Sequence, residues 1–190
     1  MKRLFVYISI ICMVSCKEDR PGTVSVYLPV SSPGITYKQD IVYRDESLFT
    51  GVLYELERET GDTVLFASYR NGVLHGSIKK LYANGRIMEE RFYSGGQKNG
   101  KQTAFWENGN PKFEFMANAD AYEGTLKEWT MDGKLIHLAN FKDGQEEGVQ
   151  KLWYDNGKIR ANYVIINGRR YGLLGTKNCK NVSDSVFVVR

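Results

Sequence analysis

Glycine recurs along this 190-residue chain at a spacing of 24 residues, in three interleaved series. Gly76, Gly100, Gly124, Gly148 and Gly172 form the first, and Gly61, Gly85, Gly109, Gly133 and Gly157 the second. Gly72, Gly96, Gly144 and Gly168 form the third, with Asp120 at its missing place. Aspartate tolerates positive φ better than most residues, so the exception fits the same backbone geometry. A fixed period of this length marks a repeat architecture, in which one supersecondary unit cannot bury its apolar side alone and stacks on its neighbours.

The residues before the second series name the unit. Asn84-Gly85, Asn108-Gly109, Asp132-Gly133 and Asn156-Gly157 are dipeptides favoured in two-residue type I′ hairpin turns. Short apolar-rich runs flank them, such as Ile78 to Tyr82 before and Ile87 to Tyr93 after. Each period therefore reads as one antiparallel hairpin, connected to the next through Gly72-Val73-Leu74-His75-Gly76 or its equivalent. Tyr, Phe and Trp make up 13% of the chain against only 4 prolines, which suits many strands and tight turns. The predicted fold is all-β, an elongated single-layer antiparallel β-meander of about six 24-residue hairpin repeats, with no helix in the body.

Side chains keep the same phase. Leu81, Phe105, Trp129 and Trp153 occupy one position, and Tyr82, Trp106, Thr130 and Tyr154 the next, on the opposite face. On the return strand Ile87, Pro111, Leu135 and Ile159 align, as do Tyr93, Ala117, Phe141 and Ile165. Such ladders are required for the sheet to exist, and aromatic faces also supply contact area at little entropic cost. Trp106, Trp129, Trp153 and Tyr154 are accordingly the candidate interaction surface. Ala117, Asp120 and Thr130 are smaller or more polar than their equivalents, which leaves a thinner place beside Trp106, Trp129 and Tyr154.

The ends are degenerate, as the caps of a repeat array are. Residues 37–75 read as an N-terminal capping repeat, 76–171 as the regular repeats and 172–190 as a C-terminal capping unit. Gly51 falls one residue before the phase set by Gly76, which predicts a bulge in the first hairpin. In the last unit Asn181 replaces the turn glycine, and Ser185 to Arg190 reads as a closing strand. Residues 16–36, with Pro21, Pro29 and Pro33, read as a tether.

Residues 1–15 have the form of a signal peptide: Lys2 and Arg3, then an apolar stretch from Leu4 to Val14 that is too short to span a bilayer as a helix. Met13-Val14-Ser15-Cys16 resembles the bacterial lipobox, which implies lipidation of Cys16, cleavage before it and stable membrane anchoring. Lys17-Glu18-Asp19 is similar to acidic signals that direct some lipoproteins to the outer face of the outer membrane, and equally fits the start of a solvated linker.

Segments such as Gly148-Val-Gln-Lys-Leu-Trp-Tyr-Asp-Asn-Gly-Lys158 and Gly76-Ser-Ile-Lys-Lys-Leu-Tyr-Ala-Asn-Gly-Arg86 resemble the MORN-repeat variant of bacteria, over about residues 41 to 175. The resemblance implies hairpin arrays on exported or membrane-bound proteins. The parent family's name refers to membrane recognition, one bacterial branch carries an antitoxin label, and no catalytic motif comes with the family.

The residues themselves offer little chemistry. Gly95-Gly-Gln-Lys-Asn-Gly100-Lys101 approaches a phosphate-binding loop, but Gln102 stands where a Ser or Thr must reach magnesium, and a strand follows where a helix should. His75 and His137 have no Cys or second His at ligand spacing, so no metal or other cofactor is expected. No nucleophile elbow is present, and no enzyme activity is expected. With Lys2 and Arg3 in the leader, the chain from Cys16 carries 24 basic residues against 22 acidic ones; that balance argues against nucleic acid, whose binding rests on clustered cations. Cys179 is the one thiol left once Cys12 departs and Cys16 is lipidated. It is a candidate reactive thiol, with burial, an intermolecular disulfide and a redox or metal contact all open to it. The expected function is a lipid-anchored scaffold at the bacterial cell envelope, in the outer membrane, that binds a protein partner through its β-repeat surface. Recognition of membrane lipid headgroups by the repeats is the second reading, and an antitoxin- or immunity-like role a third.

Overall fold

The computed structural model describes residues 26–175, and these are all-β. Four short strands come first: β1 (Tyr27–Pro29), β2 (Ile35–Lys38), β3 (Ile41–Arg44) and β4 (Ser47–Leu48). The meander follows as β5 (Gly51–Leu56), β6 (Thr63–Arg70), β7 (Val73–Leu81), β8 (Ile87–Ser94), β9 (Gln97–Phe105) and β10 (Pro111–Asn118). It continues through β11 (Ala121–Trp129), β12 (Leu135–Lys142), β13 (Gln145–Glu146), β14 (Gly148–Trp153), β15 (Ile159–Ile166) and β16 (Arg169–Leu173). From β5 to β16 consecutive strands pair antiparallel in one open sheet, with the short β13 also on β12, while β1 adds in parallel to the outer side of β5. Strands β2, β3 and β4 form a separate small sheet. The return strands β6, β8, β10, β12 and β15 are each 8 residues long and start 24 residues apart, so the period seen in the glycines is the period of the sheet.

The two kinds of turn are exchanged relative to expectation. Type I′ geometry, with positive φ at both central residues, occurs at the third glycine series: Asn71-Gly72, Gly95-Gly96, Ala119-Asp120, Asp143-Gly144 and Asn167-Gly168. There the flanking residues, Arg70 and Val73 for example, face each other directly. The Asn-Gly dipeptides of the second series lie instead in three-residue loops. Gly85 donates its N–H to the Tyr82 carbonyl at 2.9 Å, Tyr82 donates to the Arg86 carbonyl at 2.9 Å, and Asn84 keeps a negative φ while Gly85 takes +78°. This is a type I turn followed by a left-handed glycine. The asparagine side chain explains the choice, because the Arg86 N–H donates to Asn84 Oδ1 at 3.0 Å, and Asn108 and Asn156 accept in the same way.

Two strand irregularities recur with the same period. Leu81 faces Ile87 but Lys80 faces Glu89, so Met88 is an extra residue; Val64, Lys112, Ile136 and Arg160 are its equivalents. The first glycine series marks the second irregularity and lies within strands, not in connections. Arg91 faces Gln102 and Tyr93 faces Lys98, so Phe92 is opposed by Asn99, Gly100 and Lys101, with Gly100 at φ +95°. Gln102 closes this bulge: its Nε2 donates to the Phe92 carbonyl at 2.9 Å, and Gln150 repeats the bond to the Asn140 carbonyl at 2.8 Å. Both glutamines are 1% exposed or less.

The one-residue offset of Gly51 has a different cause from the bulge expected there. The first hairpin does carry the extra Val64, but so does every other hairpin. What is longer is its turn, since Leu56 and Thr63 face each other across six residues where Leu81 and Ile87 have five.

One face of the sheet is lined by small residues under large ones. Ala67, Ala104, Ala117, Ala139 and Ala161 are at most 4% exposed. Above them Tyr122 lies 4.7 Å from the Phe115 ring and 4.9 Å from Phe141, and the Arg91 guanidinium sits over Phe113 and Phe115. The other face carries a charge ladder in which Lys79 pairs with Glu90 at 3.0 Å, and Lys101 and Lys127 both reach Glu114 at 3.2 Å. Burial pushes the Glu114 carboxyl up, but hydrogen bonds from Lys127 and Lys101 outweigh it and hold the group below the usual carboxylate range.

The hydrophobic core sits at the N-terminal end, where Val42, Phe49 and Leu53 are buried with Leu28, Val30, Ile35 and Tyr69 packed against them. The expected tether therefore needs correction from Val26 onward: Tyr27–Pro29 is an edge strand, and Leu28, Val30 and Ile35 are core-packing residues. The apolar alternation of that stretch outweighs its prolines, which stand at a strand end and in a turn. At the other end β15 and β16 pair in regular register without the bulge, and all five β16 residues are exposed. Cys16, Cys179, the signal peptide and the closing strand Ser185–Arg190 lie outside the described residues.

Candidate interaction surface

The aromatic positions at the looped ends of the hairpins are tied together by a hydrogen-bond ladder that steps from one repeat to the next. The Tyr82 hydroxyl donates to the Phe105 carbonyl at 2.9 Å, and Trp106 Nε1 donates to the Trp129 carbonyl at 3.0 Å. Each side chain thus satisfies a backbone acceptor of the following unit. Lys112 covers the Trp106 ring at 4.6 Å. Trp106 is in this way committed to structure, as is the Trp129 backbone.

The ladder stops at the next step. Thr130 occupies the place of Tyr82 and Trp106, and its hydroxyl turns back to its own loop, against Asp132 and accepting from the Lys134 N–H at 3.1 Å. The same loop bonds hold the exposed Asp132 carboxyl down at about 2, with the Lys134 ammonium the largest cause and the Thr130 hydroxyl the next; Lys134 is raised in return by Asp132. Where a third bridging aromatic would have pointed, at Trp153, the sheet has a cleft of about 280 Å³.

Its wall is mixed. Ile136, Leu152 and Trp153 supply apolar surface, Tyr154 an aromatic ring, and Glu128, His137, Asp155 and Arg160 polar groups. Ile136 and Arg160 are the extra residues of two successive bulges, which re-aim side chains at such sites. Glu128 and His137 face each other across β11 and β12, with His137 Nδ1 3.0 Å from Glu128 Oε2. Arg160 lies 6.0 Å from the centre of the Tyr154 ring. Carboxylates, a guanidinium, an imidazole and aromatic edges in one shallow depression can meet both donors and acceptors of a partner. Among the described residues, no hydroxyl or thiol other than the Tyr154 phenol lines it.

Of the four residues singled out in the sequence, Trp153 and Tyr154 line this cleft, while Trp106 and Trp129 belong to the ladder that stops short of it. Of the three residues expected to make a thinner place, Thr130 lies at the looped end beside the missing rung, whereas Asp120 and Ala117 lie at the opposite, type I′ end, with Ala117 buried opposite Tyr122. The Glu128–His137 pair is not among the residues singled out in the sequence, although a hairpin turn at Asp132-Gly133 by itself sets the two residues opposite each other. His75 lies within β7, not in a connecting loop, and its Nδ1 accepts from the Gly95 N–H at 3.4 Å. The loop-like stretch from Gly95 to Lys101 is a type I′ turn and a strand, with Gln102 buried on the Phe92 carbonyl. Among the described residues no group of His, Cys, Asp and Glu side chains could hold a metal ion, and no helix is long and apolar enough to cross a membrane.

The family model described as MORN repeat variant matches residues 98–116 and 146–163. The two matches begin two periods apart and each covers a looped hairpin, β9–β10 and β14–β15, with its buried glutamine. A comparison with curated proteins gave no match.

Proposed function

From the premise that the chain carries MORN-variant repeats, a non-catalytic repeat type found in membrane- and protein-interaction modules, we propose that it is a lipid-anchored interaction module of the bacterial cell envelope. Its β-repeat surface binds a protein partner, with Cys16 as the lipid attachment point and the cleft at Trp153 and Tyr154 as the contact site. The observation that carries this reading is the interruption of the aromatic ladder at Thr130. A repeat that needed only to stack would keep the rung, whereas leaving it out exposes aromatic and charged groups in a depression. Trp, Tyr and Arg at the centre of a contact are the side chains that contribute most to binding.

Thr130→Tyr tests the proposal, since it rebuilds the rung toward the Trp153 carbonyl and fills the cleft. Stability should hold or rise by up to about 1 kcal/mol from the added hydrogen bond, while crosslinking in whole cells should lose the partner that wild type captures and Cys16→Ala mislocalises. Capture of the same partner by wild type and Thr130→Tyr would sink the cleft as the contact site. Undiminished membrane attachment of Cys16→Ala would sink the anchor.

A further inference from the structure

The repeats themselves define what the cleft lacks. Between the first three regular hairpins, the preceding unit supplies side-chain donors to two carbonyls of the next. At the first step the Tyr82 hydroxyl donates to the Phe105 carbonyl at 2.9 Å and the Arg86 guanidinium to the Glu107 carbonyl at 3.2 Å. At the second, Trp106 Nε1 donates to the Trp129 carbonyl at 3.0 Å, while the Asn108 and Asn110 amides donate to the Met131 carbonyl at 2.7 and 2.9 Å. One period further on, the equivalent carbonyls are those of Trp153 and Asp155 in the wall of the cleft. Here the donors fail at all three positions. Thr130, Asp132 and Lys134 stand in the places of Trp106, Asn108 and Asn110. The Thr130 hydroxyl turns to its own loop, the Asp132 carboxylate can only accept, and the Lys134 ammonium is held on Asp132 at 2.7 Å. Among the described residues no side chain donates to the Trp153 or the Asp155 carbonyl.

Resting on the cleft as the contact site, we infer that the missing donors come from an arginine side chain of the partner protein. A guanidinium carries five N–H donors and no acceptor in a planar fork, so a single side chain has donors for both carbonyls and for a carboxylate. The charge of the wall suits it: the Glu128 and Asp155 carboxylates stand against the one guanidinium of Arg160, and among the described residues no ion pair holds Asp155. Trp153 adds ring surface on which a planar cation stacks. The molecule uses the same chemistry within its own sheet, with Arg86 on the Glu107 carbonyl and the Arg91 guanidinium 4.7 Å from the centre of the Phe113 ring. A lysine ammonium is a compact point charge and does not match the flat ring and the two acceptors together. An acidic side chain would meet two carbonyls and two carboxylates, all of them acceptors.

Acetyl-arginine methylamide, added to the full chain in mild detergent, is the probe. Nuclear magnetic resonance should show saturable shifts of the Trp153 indole signal and of the Tyr154 and Asn156 amide signals, whose nitrogens share peptide bonds with the two carbonyls. The lysine and glutamine analogues should bind roughly tenfold more weakly or worse. Asp132→Asn restores the amide that Asn108 carries one unit earlier, and Asp155→Asn removes a carboxylate. Each should weaken binding of the arginine derivative roughly fivefold or more while leaving the far-ultraviolet dichroism unchanged. Absence of a saturable shift, equal binding of the lysine analogue, or indifference to both substitutions would each overturn the arginine site. So would binding that appears only after residues 176–190 are removed, because the cleft would then belong to the chain's own tail. Loss of partner capture in Thr130→Tyr beside a cleft that ignores the arginine derivative would keep the contact site and overturn only its arginine occupant.

Discussion

The two ends of the sheet meet the same problem in opposite ways. At the N-terminal end, β1 and the small β2–β4 sheet fold over the first hairpin, bury Val42, Phe49 and Leu53, and clamp the Asn71-Gly72 turn. Val42 donates to the Gly72 carbonyl at 2.8 Å, Gly72 to the Phe49 carbonyl at 2.7 Å, and the Asn71 N–H to Thr50 Oγ1 at 2.9 Å. At the C-terminal end, among the described residues, the equivalent Asn167-Gly168 turn has no atom within 4 Å of the position of a glycine side chain, and β16 is exposed throughout. One turn type is thus built into a core at one end and stands in open space at the other. What differs is the packing around it, so stability in this molecule is graded along the array and not shared evenly.

The largest test of that gradient is Phe49→Ala. Phe49 is 3% exposed and meets Tyr69 edge-on at 6.2 Å, so its loss should cost roughly 3–5 kcal/mol. Hydrogen exchange should accelerate first in β3 to β6, and equal acceleration in β14 to β16 would contradict a local N-terminal core. A sharper contrast comes from the matched substitutions Gly72→Ala and Gly168→Ala. Both force alanine into positive φ, a cost of roughly 1–2 kcal/mol. At Gly72 the new methyl would also lie 2.6 Å from Ile41 and 2.9 Å from Leu48 and the Val42 carbonyl, which should bring the total to roughly 2–5 kcal/mol. Equal denaturation midpoints for the two variants would remove the asymmetry. The smallest effect concerns acid. Because the folded Glu114 carboxyl is held below its unfolded value, its contribution is present above the unfolded pKa and is lost as pH falls through the folded one. As pH falls below the ordinary carboxylate value of 4.5 the central strands β9 to β11 should lose some protection, by less than about 1 kcal/mol for so open a pair, while the uncharged N-terminal core keeps its own. Glu114→Gln should abolish that pH dependence, and an unchanged profile would assign it elsewhere.

The period, the strand order and the meander were legible in the glycines, and the turn types were not. Asn-Gly suits both a type I′ turn and the end of a type I turn, and the bond from Asn84 Oδ1 to the Arg86 N–H that decides between them is not visible in a dipeptide. The register nevertheless agrees beyond the loop. A two-residue turn at Asn84-Gly85 would place Lys80 opposite Glu89, and the longer loop together with the extra Met88 arrives at that same pairing. The pairing of Glu128 with His137 follows from the same cancellation. In the sequence, Pro29 and Pro33 point to a tether, and the core role of Leu28, Val30 and Ile35 depends on a sheet that is distant in sequence. The cleft was half legible: Thr130 marks the missing rung, but its walls come from bulges that only strand pairing reveals.

The direction of the strands has a mechanical consequence. Twelve strands spaced about 4.8 Å apart make an array roughly 55 Å along its stacking direction, against roughly 27 Å for an eight-residue strand. A pull between its ends therefore acts across the strands and opens backbone hydrogen bonds one after another, as a zipper parts, instead of shearing a whole ladder together. Yielding would start at β16 and stop last where β1 runs parallel against β5 under its small sheet. Under tension such an array would lengthen in steps of one strand, releasing slack from its weakly packed strands while the N-terminal core stays folded.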